Sequence, residues 1–223
     1  MTDTATPITR SERITNLDTV RGIATLGILV MNAVSFGLPQ PAYFNLDYAG
    51  SDNTLDWIVG VLGEVFVDQK TMAMFSMLFG AGIVVFADRA AAKGRRANWL
   101  SLWRNTLLLV IGGAHTAFWF GDVLMLYAVC SPVLLLLRTC SARTLFIAGG
   151  ICLALSALTM AAVQGEIEAA DLGEYWVDEN TAMGEDVQFA VLADFGMRAL
   201  GAMLIGVGLF RADIIQGRRP AEF

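Results

Sequence analysis

The fold is decided by one long stretch, LDWIVGVLGEVFVDQKTMAMFSMLFGAGIVVFA, which occupies residues 55–87. The stretch is almost entirely apolar. As one straight α-helix it would be about 50 Å long, whereas a bilayer crossing needs only about 20 residues. A polar cluster of Glu64, Asp68, Gln69 and Lys70 interrupts it near the middle. The sequence therefore predicts a single crossing whose helix is bent, broken or partly interfacial at this cluster.

The composition of the whole chain is typical of a membrane protein. Of its 223 residues, 56% are hydrophobic and only 16% are charged, and the mean hydropathy is +0.58. Such values favour a chain that has lipid as its solvent. We predict an all-α, polytopic transmembrane helical bundle with about six spans. The predicted spans are residues 22–38, 55–87, 103–120, 123–137, 144–163 and 187–210.

The positions of the basic residues agree with this count and predict an orientation. Cytoplasmic loops of inserted proteins collect lysine and arginine. Such residues occur before the first predicted span, between the second and third, between the fourth and fifth, and after the sixth, whereas residues 39–54, 121–122 and 164–186 contain none. We therefore predict that the N-terminal arm, residues 1–21, and the C-terminal tail, residues 211–223, both lie in the cytoplasm, with the chain in a bacterial inner membrane.

Several classes of site and partner have no support in the sequence. The three cysteines, Cys130, Cys140 and Cys152, form no paired spacing, and His115 is the only histidine, so we predict neither a disulfide framework nor a metal site. No P-loop, dinucleotide-binding fingerprint or hydrolase elbow is present, so no bound cofactor is predicted. We expect the lipid bilayer as a partner, with a second membrane chain or a further copy of this one, and no nucleic acid.

Four polar residues form a stripe on the first predicted helix. Asp18, Arg21, Thr25 and Asn32 are separated by three, four and seven residues, so they share one helix face. This face is too polar for contact with lipid. It is either an interfacial Asp18–Arg21 pair with Asn32 bonded to a neighbouring helix, or the polar wall of a ligand cavity.

Charged residues also occur in the second and last spans. Glu64 and Asp68 are one turn apart, and two such carboxylates raise each other's pKa unless a cation such as Lys70 or Arg198 lies nearby. They could form a proton or cation site or a solvated helix end. Asp194 and Arg198 have the i, i+4 spacing of an internal ion pair.

The third candidate site is centred on the single histidine. His115, Trp119 and Asp122 follow i, i+4, i+7 spacing, which predicts a shared helix face at the outer end of the third span. A neutral imidazole can accept a proton from a hydroxyl or amine, and a nearby carboxylate can orient it. A structural histidine within an interfacial aromatic belt is the alternative interpretation.

Three ordered blocks of sequence resemble a known family. The first is RITNLDTVRGIATLGILVMN, residues 13–32, and the second is KTMAMFSMLFGAG, residues 70–82. The third combines GGAH, residues 112–115, with GDVLMLYA, residues 121–128. Together they resemble the YeiB-like membrane proteins, a bacterial family of unknown function. Its members are generally longer and continue into a further multi-span region, so a short form or a fragment is expected here.

The resemblance also implies a possible activity, because the family is distantly similar to transmembrane acyltransferases of the heparan-alpha-glucosaminide N-acetyltransferase group. By that similarity, acyl-CoA would be the co-substrate, and His115, oriented by Asp122, would be the base or the transient acyl carrier. The predicted substrate-binding cavity is lined by Asp18, Arg21, Asn32 and Lys70.

Two other functions fit the same residues. A transporter or permease component would use the intramembrane charged residues as a path. This alternative path consists of Glu64, Asp68, Asp194 and Arg198. A non-catalytic assembly partner would use the polar residues only to pack helices.

Overall fold

A computed structural model of the protein describes residues 15–43, 46, 48–50, 52–119, 121–166 and 185–215. Within these ranges every regular element is helical. The α-helices are α1 (Thr15–Gly37), α2 (Thr54–Leu62), α3 (Lys70–Ala92), α4 (Ala97–Thr116), α5 (Leu124–Leu137), α6 (Ala142–Glu166) and α7 (Glu185–Arg211). A 3-10 helix, Gln40–Tyr43, follows α1, and a π-helical turn, Gly63–Val67, follows α2.

The long apolar stretch is broken at its polar cluster, as the sequence predicts. The π-helical turn leads into Asp68 and Gln69, and α3 begins at Lys70. Gln69 has a φ of 24°, in the left-handed region that residues other than glycine rarely adopt. Such a conformation persists only when surrounding contacts hold it. The break is therefore a built feature of the fold.

Among the described residues, four segments are long and apolar enough to cross a membrane. They are Asp18–Gly37, Thr54–Ala92, Ala142–Val163 and Gln188–Arg211. Helix α5 is apolar but shorter, and α4 carries Arg104 within its length. Helices α1, α2 and α6 expose large apolar side chains such as Leu26, Ile58 and Leu158, which suits contact with lipid. The chain is therefore a helical membrane protein, and the count of six spans stays a prediction.

Helices α3 and α7 cross at two glycines that allow close approach of their backbones. A Cβ atom at Gly80 would lie 2.5 Å from the carbonyl oxygen of Met203, and one at Gly206 would overlap the carbonyl group of Met77. Small residues at such crossings are the usual basis of helix packing in membranes. The crossing fixes α7 against the first half of α3. Charged residues of the two helices therefore come close together.

A buried polar pair joins α3 to α5 among the apolar side chains of the bundle core. The hydroxyl oxygens of Ser76 on α3 and Tyr127 on α5 are 2.6 Å apart. Phe75 and Phe79 pack their rings against Tyr127, with centroids 5.9 and 5.0 Å away. The pair fixes the register of α3 against α5. The core around it includes Val84, Leu134, Leu145, Met203, Leu204 and Val207.

Three helix ends are joined by a charged cluster. The carboxylate of Asp88, near the end of α3, lies 3.1 Å from Arg138 after α5 and 2.9 Å from Arg211 at the end of α7. Arg211 also donates to the backbone carbonyl of Arg138 over 2.6 Å. These ends therefore lie at one end of the bundle, which is the end predicted to be cytoplasmic.

Candidate functional site

The single histidine lies where α4 ends and α5 begins. His115 is in the last turn of α4, which ends at Thr116. Asp122 lies two residues before α5, which begins at Leu124. The two helices approach closely because Gly112 has no side chain: a Cβ atom there would lie 2.6 Å from the backbone nitrogen of Met125. The glycine thus brings the end of α4 against the start of α5.

The prediction that His115, Trp119 and Asp122 share a helix face is wrong. The helix stops at Thr116, so Trp119 and Asp122 lie beyond it. The three are nonetheless neighbours, because the chain turns back at Gly121. The imidazole and indole centroids are 5.8 Å apart, and the indole packs on Phe36 of α1 at 5.0 Å.

His115 and Asp122 form an exposed imidazole beside a buried carboxylate. Nδ1 of His115 is 3.6 Å from Oδ1 of Asp122, within ion-pair range but longer than a hydrogen bond. The histidine side chain is 49% exposed and the aspartate side chain only 4%. Oδ1 also accepts from the backbone N–H of Leu124 over 2.9 Å, which fixes the carboxylate. Oδ2 is buried without a hydrogen-bond partner among the described residues.

This arrangement is suited to acid–base chemistry. A carboxylate beside Nδ1 selects the tautomer in which that nitrogen carries the proton, which leaves Nε2 as the acceptor. Catalytic hydrogen bonds are often long in a structure without substrate and shorten when substrate binds. The half-exposed ring can therefore meet a substrate while the buried carboxylate holds its orientation.

A second feature is a basic cavity of about 650 Å³ between α1, α3 and α4. The guanidinium group of Arg21 lies 3.6 Å from Asp18 and close to Gly82, where a Cβ atom would be 3.2 Å from its Nη2. On α4, Arg104 lies over the ring of Phe86, 4.3 Å from its centroid. The cationic residues lining the cavity are Arg21, Arg89, Lys93, Arg95 and Arg104.

The basic cavity adjoins an apolar one of about 190 Å³. The two share Phe79, Ile83, Phe86 and Arg104 as lining residues, so these side chains border both cavities. The apolar branch extends along α4 as far as Ile111. We refer to the two as the basic cavity and the apolar branch.

The predicted substrate-binding residues do not all meet in these cavities. Asp18 and Arg21 line the basic cavity, whereas Asn32 and Lys70 do not. Asn32 is eleven residues beyond Arg21 on α1, about 16 Å along the helix axis. Lys70 is the first residue of α3, about 18 Å along the helix axis from Gly82, and donates through Nζ to the carbonyl of Glu64 over 3.0 Å. The length of the helices separates the two pairs.

Three of the remaining charged residues, Asp68, Asp194 and Arg198, belong to one hydrogen-bonded network around the helix break. Asp68 accepts from Tyr43 over 2.7 Å and from Gln69 over 3.1 Å. Gln69 in turn accepts from Arg198 over 3.3 Å, and Arg198 pairs with the buried Asp194. Ser156 of α6 donates to the other oxygen of Asp194. The network therefore links the break to α6 and α7.

The network contains three residues that the sequence did not single out for it, Tyr43, Gln69 and Ser156. Gln69 was a member of the polar cluster, but nothing in its spacing indicated a bond to Arg198. Burial raises the pKa of the Tyr43 phenol, and its hydrogen bond to Asp68 raises it further, so the phenol stays a donor. The carboxylate of Glu64 lies outside this network, on the exposed side of the π-helical turn.

The described part of the chain contains no group of three histidine, cysteine, aspartate or glutamate side chains that could hold a metal ion. The three cysteines are thiols without disulfide partners.

Comparisons with known proteins agree with the resemblance of the sequence blocks. No family model and no solved structure matches the chain. Uncharacterized protein YeiB of Escherichia coli (strain K12) is 30% identical over 231 residues, which cover 93% of this chain and 58% of that protein. Uncharacterized protein YxaH of Bacillus subtilis (strain 168) is 36% identical over 149 residues, covering 63% of this chain and 36% of that protein.

A third relative is an uncharacterized 39.9 kDa protein in the amylase 3' region of Bacillus acidopullulyticus. It is 32% identical over 130 residues, which cover 58% of this chain and 35% of that protein. The chain thus spans between 35% and 58% of the length of these relatives. Together with the long apolar helices, these similarities support the assignment of the chain to a YeiB-like family of membrane proteins.

Proposed function

We propose that this chain is an acyltransferase-like membrane protein in which His115 acts as the general base. The observation that carries the proposal is the half-exposed imidazole whose Nδ1 lies 3.6 Å from the buried carboxylate of Asp122. A buried carboxylate that orients an accessible imidazole is the arrangement that activates a hydroxyl or amine. The distant similarity of the family to transmembrane acyltransferases favours acyl transfer among such reactions.

The reaction follows from the two residues. Nε2 of His115 removes the proton of an acceptor hydroxyl or amine as the acceptor atom bonds to the carbonyl carbon of an acyl thioester. The carbon–sulfur bond then breaks, and the imidazolium returns the proton to the departing thiolate. Asp122 stabilises the imidazolium in between, which is the role of a carboxylate beside a catalytic histidine. Acyl-CoA is the donor that we propose.

The proposed setting is a bacterial inner membrane with the basic ends of the helices in the cytoplasm. The cluster of Asp88, Arg138 and Arg211 at one end of the bundle supports this orientation, because cytoplasmic ends collect basic residues. The chain spans only part of the length of its relatives. A second membrane chain, or a further copy of this one, is the partner that we propose.

Acyl transfer can be tested on purified protein in lipid nanodiscs supplied with acetyl-CoA labelled in its acetyl group. Glucosamine, which offers an amine and hydroxyls, serves as the acceptor probe. We expect label on the acceptor or on the protein from the wild type, and a loss of about 100-fold or more from His115→Ala. Phe118→Leu is the matched control, because Phe118 is 91% exposed at the same helix end. Equal labelling by wild type and His115→Ala would refute the mechanism.

Transport is a second candidate function, favoured by the break at Gln69. Arg198 and Gln69 line a cavity of about 260 Å³ beside the break, and Arg198 is joined to Asp194 and, through Gln69, to Asp68. Broken helices with charged residues at mid-depth are typical of transporter sites. Proton flux into vesicles, followed with a trapped pH dye, would support transport if it survived His115→Ala and failed in Asp68→Asn and Glu64→Gln.

A further inference from the structure

The charges of the basic cavity are strongly unbalanced. Among the described residues, its lining includes five cationic side chains and one carboxylate, Asp18. Like charges gathered beside apolar surface repel one another unless an anion lies among them. The carboxylate of Asp18 is already paired with Arg21. The cavity therefore favours an anion with more than one negative oxygen.

Two guanidinium groups line the cavity from two different helices. Arg21 of α1 lies against the bare backbone at Gly82, and Arg104 of α4 lies on the ring of Phe86. Stacking on an aromatic ring holds a guanidinium without using its N–H donors. The planar donor forks of arginine match phosphate oxygens in pairs. The walls thus offer fixed donors for a phosphate group.

The α3 side chains that line both cavities, and the apolar branch itself, are suited to an aliphatic chain. These α3 side chains are Phe79, Ile83 and Phe86. Along α4, Arg104, Leu108, Ile111 and His115 are spaced by four, three and four residues, so they lie on one helix face. Arg104 and His115 are about 16 Å apart along that face. The cationic residues therefore lie at one end of this stripe and the candidate base at the other.

We infer that the basic cavity and the adjacent apolar branch together bind a phosphate group joined to an aliphatic chain. The phosphate lies between Arg21 and Arg104, and the chain lies over Phe79 and Ile83 along the apolar branch. Binding of this ligand does not depend on the proposed function. Only the direction of the chain toward His115 rests on it.

Two classes of molecule carry both a phosphate group and an aliphatic chain, namely phosphate-bearing lipids and acyl-CoA. Binding measurements distinguish them. The full chain is placed in nanodiscs of phosphatidylcholine alone, and bound ³²P-labelled lysophosphatidic acid is measured after subtraction of empty nanodiscs. Unlabelled dodecanoyl-CoA, inorganic phosphate and monododecanoylglycerol are the competitors. We expect specific binding of a phosphate that carries a chain, with inorganic phosphate and the neutral glyceride at least roughly tenfold weaker. Displacement by dodecanoyl-CoA identifies a site for both sources, and no displacement identifies a lipid site.

Variants test whether the cavity is the binding site. Arg21→Gln and Arg104→Gln should each weaken binding roughly tenfold, because each removes charge-assisted hydrogen bonds. Gly82→Val should do the same by displacing the Arg21 guanidinium. Arg143→Gln, an exposed arginine at the start of α6 that does not line the cavity, is the matched control and should bind as the wild type does.

His115→Ala separates this inference from the proposed function. It should retain binding while acyl transfer is lost, and retained transfer in that variant refutes the proposed function alone. If the arginine variants do not elute as monodisperse protein, the salt dependence of wild-type binding replaces them. Binding should weaken several-fold as NaCl rises to about 0.5 M. Affinity equal to that of the neutral glyceride, or unchanged by salt and by both arginine variants, overturns the inference.

Discussion

Gly112 of α4 lies directly against Met125 of α5, with room for a hydrogen atom and nothing larger. A Cβ atom on Gly112 would lie 2.6 Å from the backbone nitrogen and 3.1 Å from the Cα atom of Met125. Backbone atoms cannot rotate away as a side chain can. The distance between His115 and Asp122 therefore depends on a residue that touches neither of them.

A methyl group at Gly112 should damage the candidate site from a distance. We expect Gly112→Ala to push α4 away from α5, to lower the free energy of unfolding by about 1–3 kcal/mol and to reduce acyl transfer. Gly113→Ala is the matched control, because a Cβ atom at Gly113 meets nothing within 4 Å. That variant should keep activity and unfold at the same temperature or slightly higher. Thermal unfolding in nanodiscs and transfer of labelled acetyl groups measure both effects, and equal behaviour of the two variants would contradict the packing argument.

Asp122 should increase the rate of acyl transfer, although His115 can act as a base without it. Asp122→Asn keeps the shape of the side chain but removes the charge that stabilises the imidazolium. We expect the transfer rate to fall by about 10²-fold or more, with donor binding unchanged. Asp52→Asn, at an exposed aspartate before α2, is the control. The variant rates are compared at saturating acetyl-CoA, and an unaltered rate in Asp122→Asn would remove the aspartate from the mechanism.

The sequence predicted the features that depend on local pattern. The break near Asp68 followed from polar residues inside a stretch too long for one crossing, and the Asp194–Arg198 pair followed from i, i+4 spacing. The proximity of His115 to Asp122 was also expected, but on the assumption of one continuous helix. The turn at Gly121, not a helical face, brings them together.

The features that depend on packing between helices could not be predicted. The basic cavity requires α1 and α4 to lie on either side of α3, and no spacing within one helix contains that information. Asn32 was grouped with Arg21 because the two share one face of α1, and Lys70 was assigned to the same cavity, although helix length separates both from Arg21. The bond between Gln69 and Arg198 spans 129 positions in the chain. It depends on the glycine crossing of α3 with α7.

Arg198 should be required for stability because its partner is buried. Asp194 is almost fully buried, and removal of the cation leaves its charge without compensation. We expect Arg198→Leu to lower the free energy of unfolding by about 2–3 kcal/mol, below the usual cost of breaking a buried pair because the arginine side chain is 40% exposed. The double variant Asp194→Leu with Arg198→Leu should recover most of that loss. Unfolding in detergent mixtures measures the difference, and a double variant no more stable than Arg198→Leu would contradict this account.

The hydrogen bond between Tyr43 and Asp68 should make stability depend on alkaline pH. The folded state holds the pKa of the Tyr43 phenol above its usual value, so the unfolded chain releases that proton first as the pH rises. The stabilisation is complete below about pH 10, the usual tyrosine pKa, and declines above it. Tyr43→Phe should abolish this decline at a cost of about 1 kcal/mol at neutral pH. Tyr48→Phe, which leaves the Tyr43–Asp68 bond intact, should keep the decline, and a decline that persists in Tyr43→Phe would assign it to another group.

The segment Thr54–Ala92 should cross the membrane once despite its break. Asp52 precedes α2 and Arg95 follows α3, so one crossing separates them and a return at Gln69 would bring them to the same side. In a cysteine-free background, we expect Asp52→Cys to react with a membrane-impermeant maleimide in intact spheroplasts. Arg95→Cys should react only after the membrane is opened. Ser141→Cys should behave as Arg95→Cys does, because the Asp88–Arg138 pair joins the ends of α3 and α5. Labelling of positions 52 and 95 from the same side would refute the single crossing and, with it, the proposal that the basic ends of the helices lie in the cytoplasm.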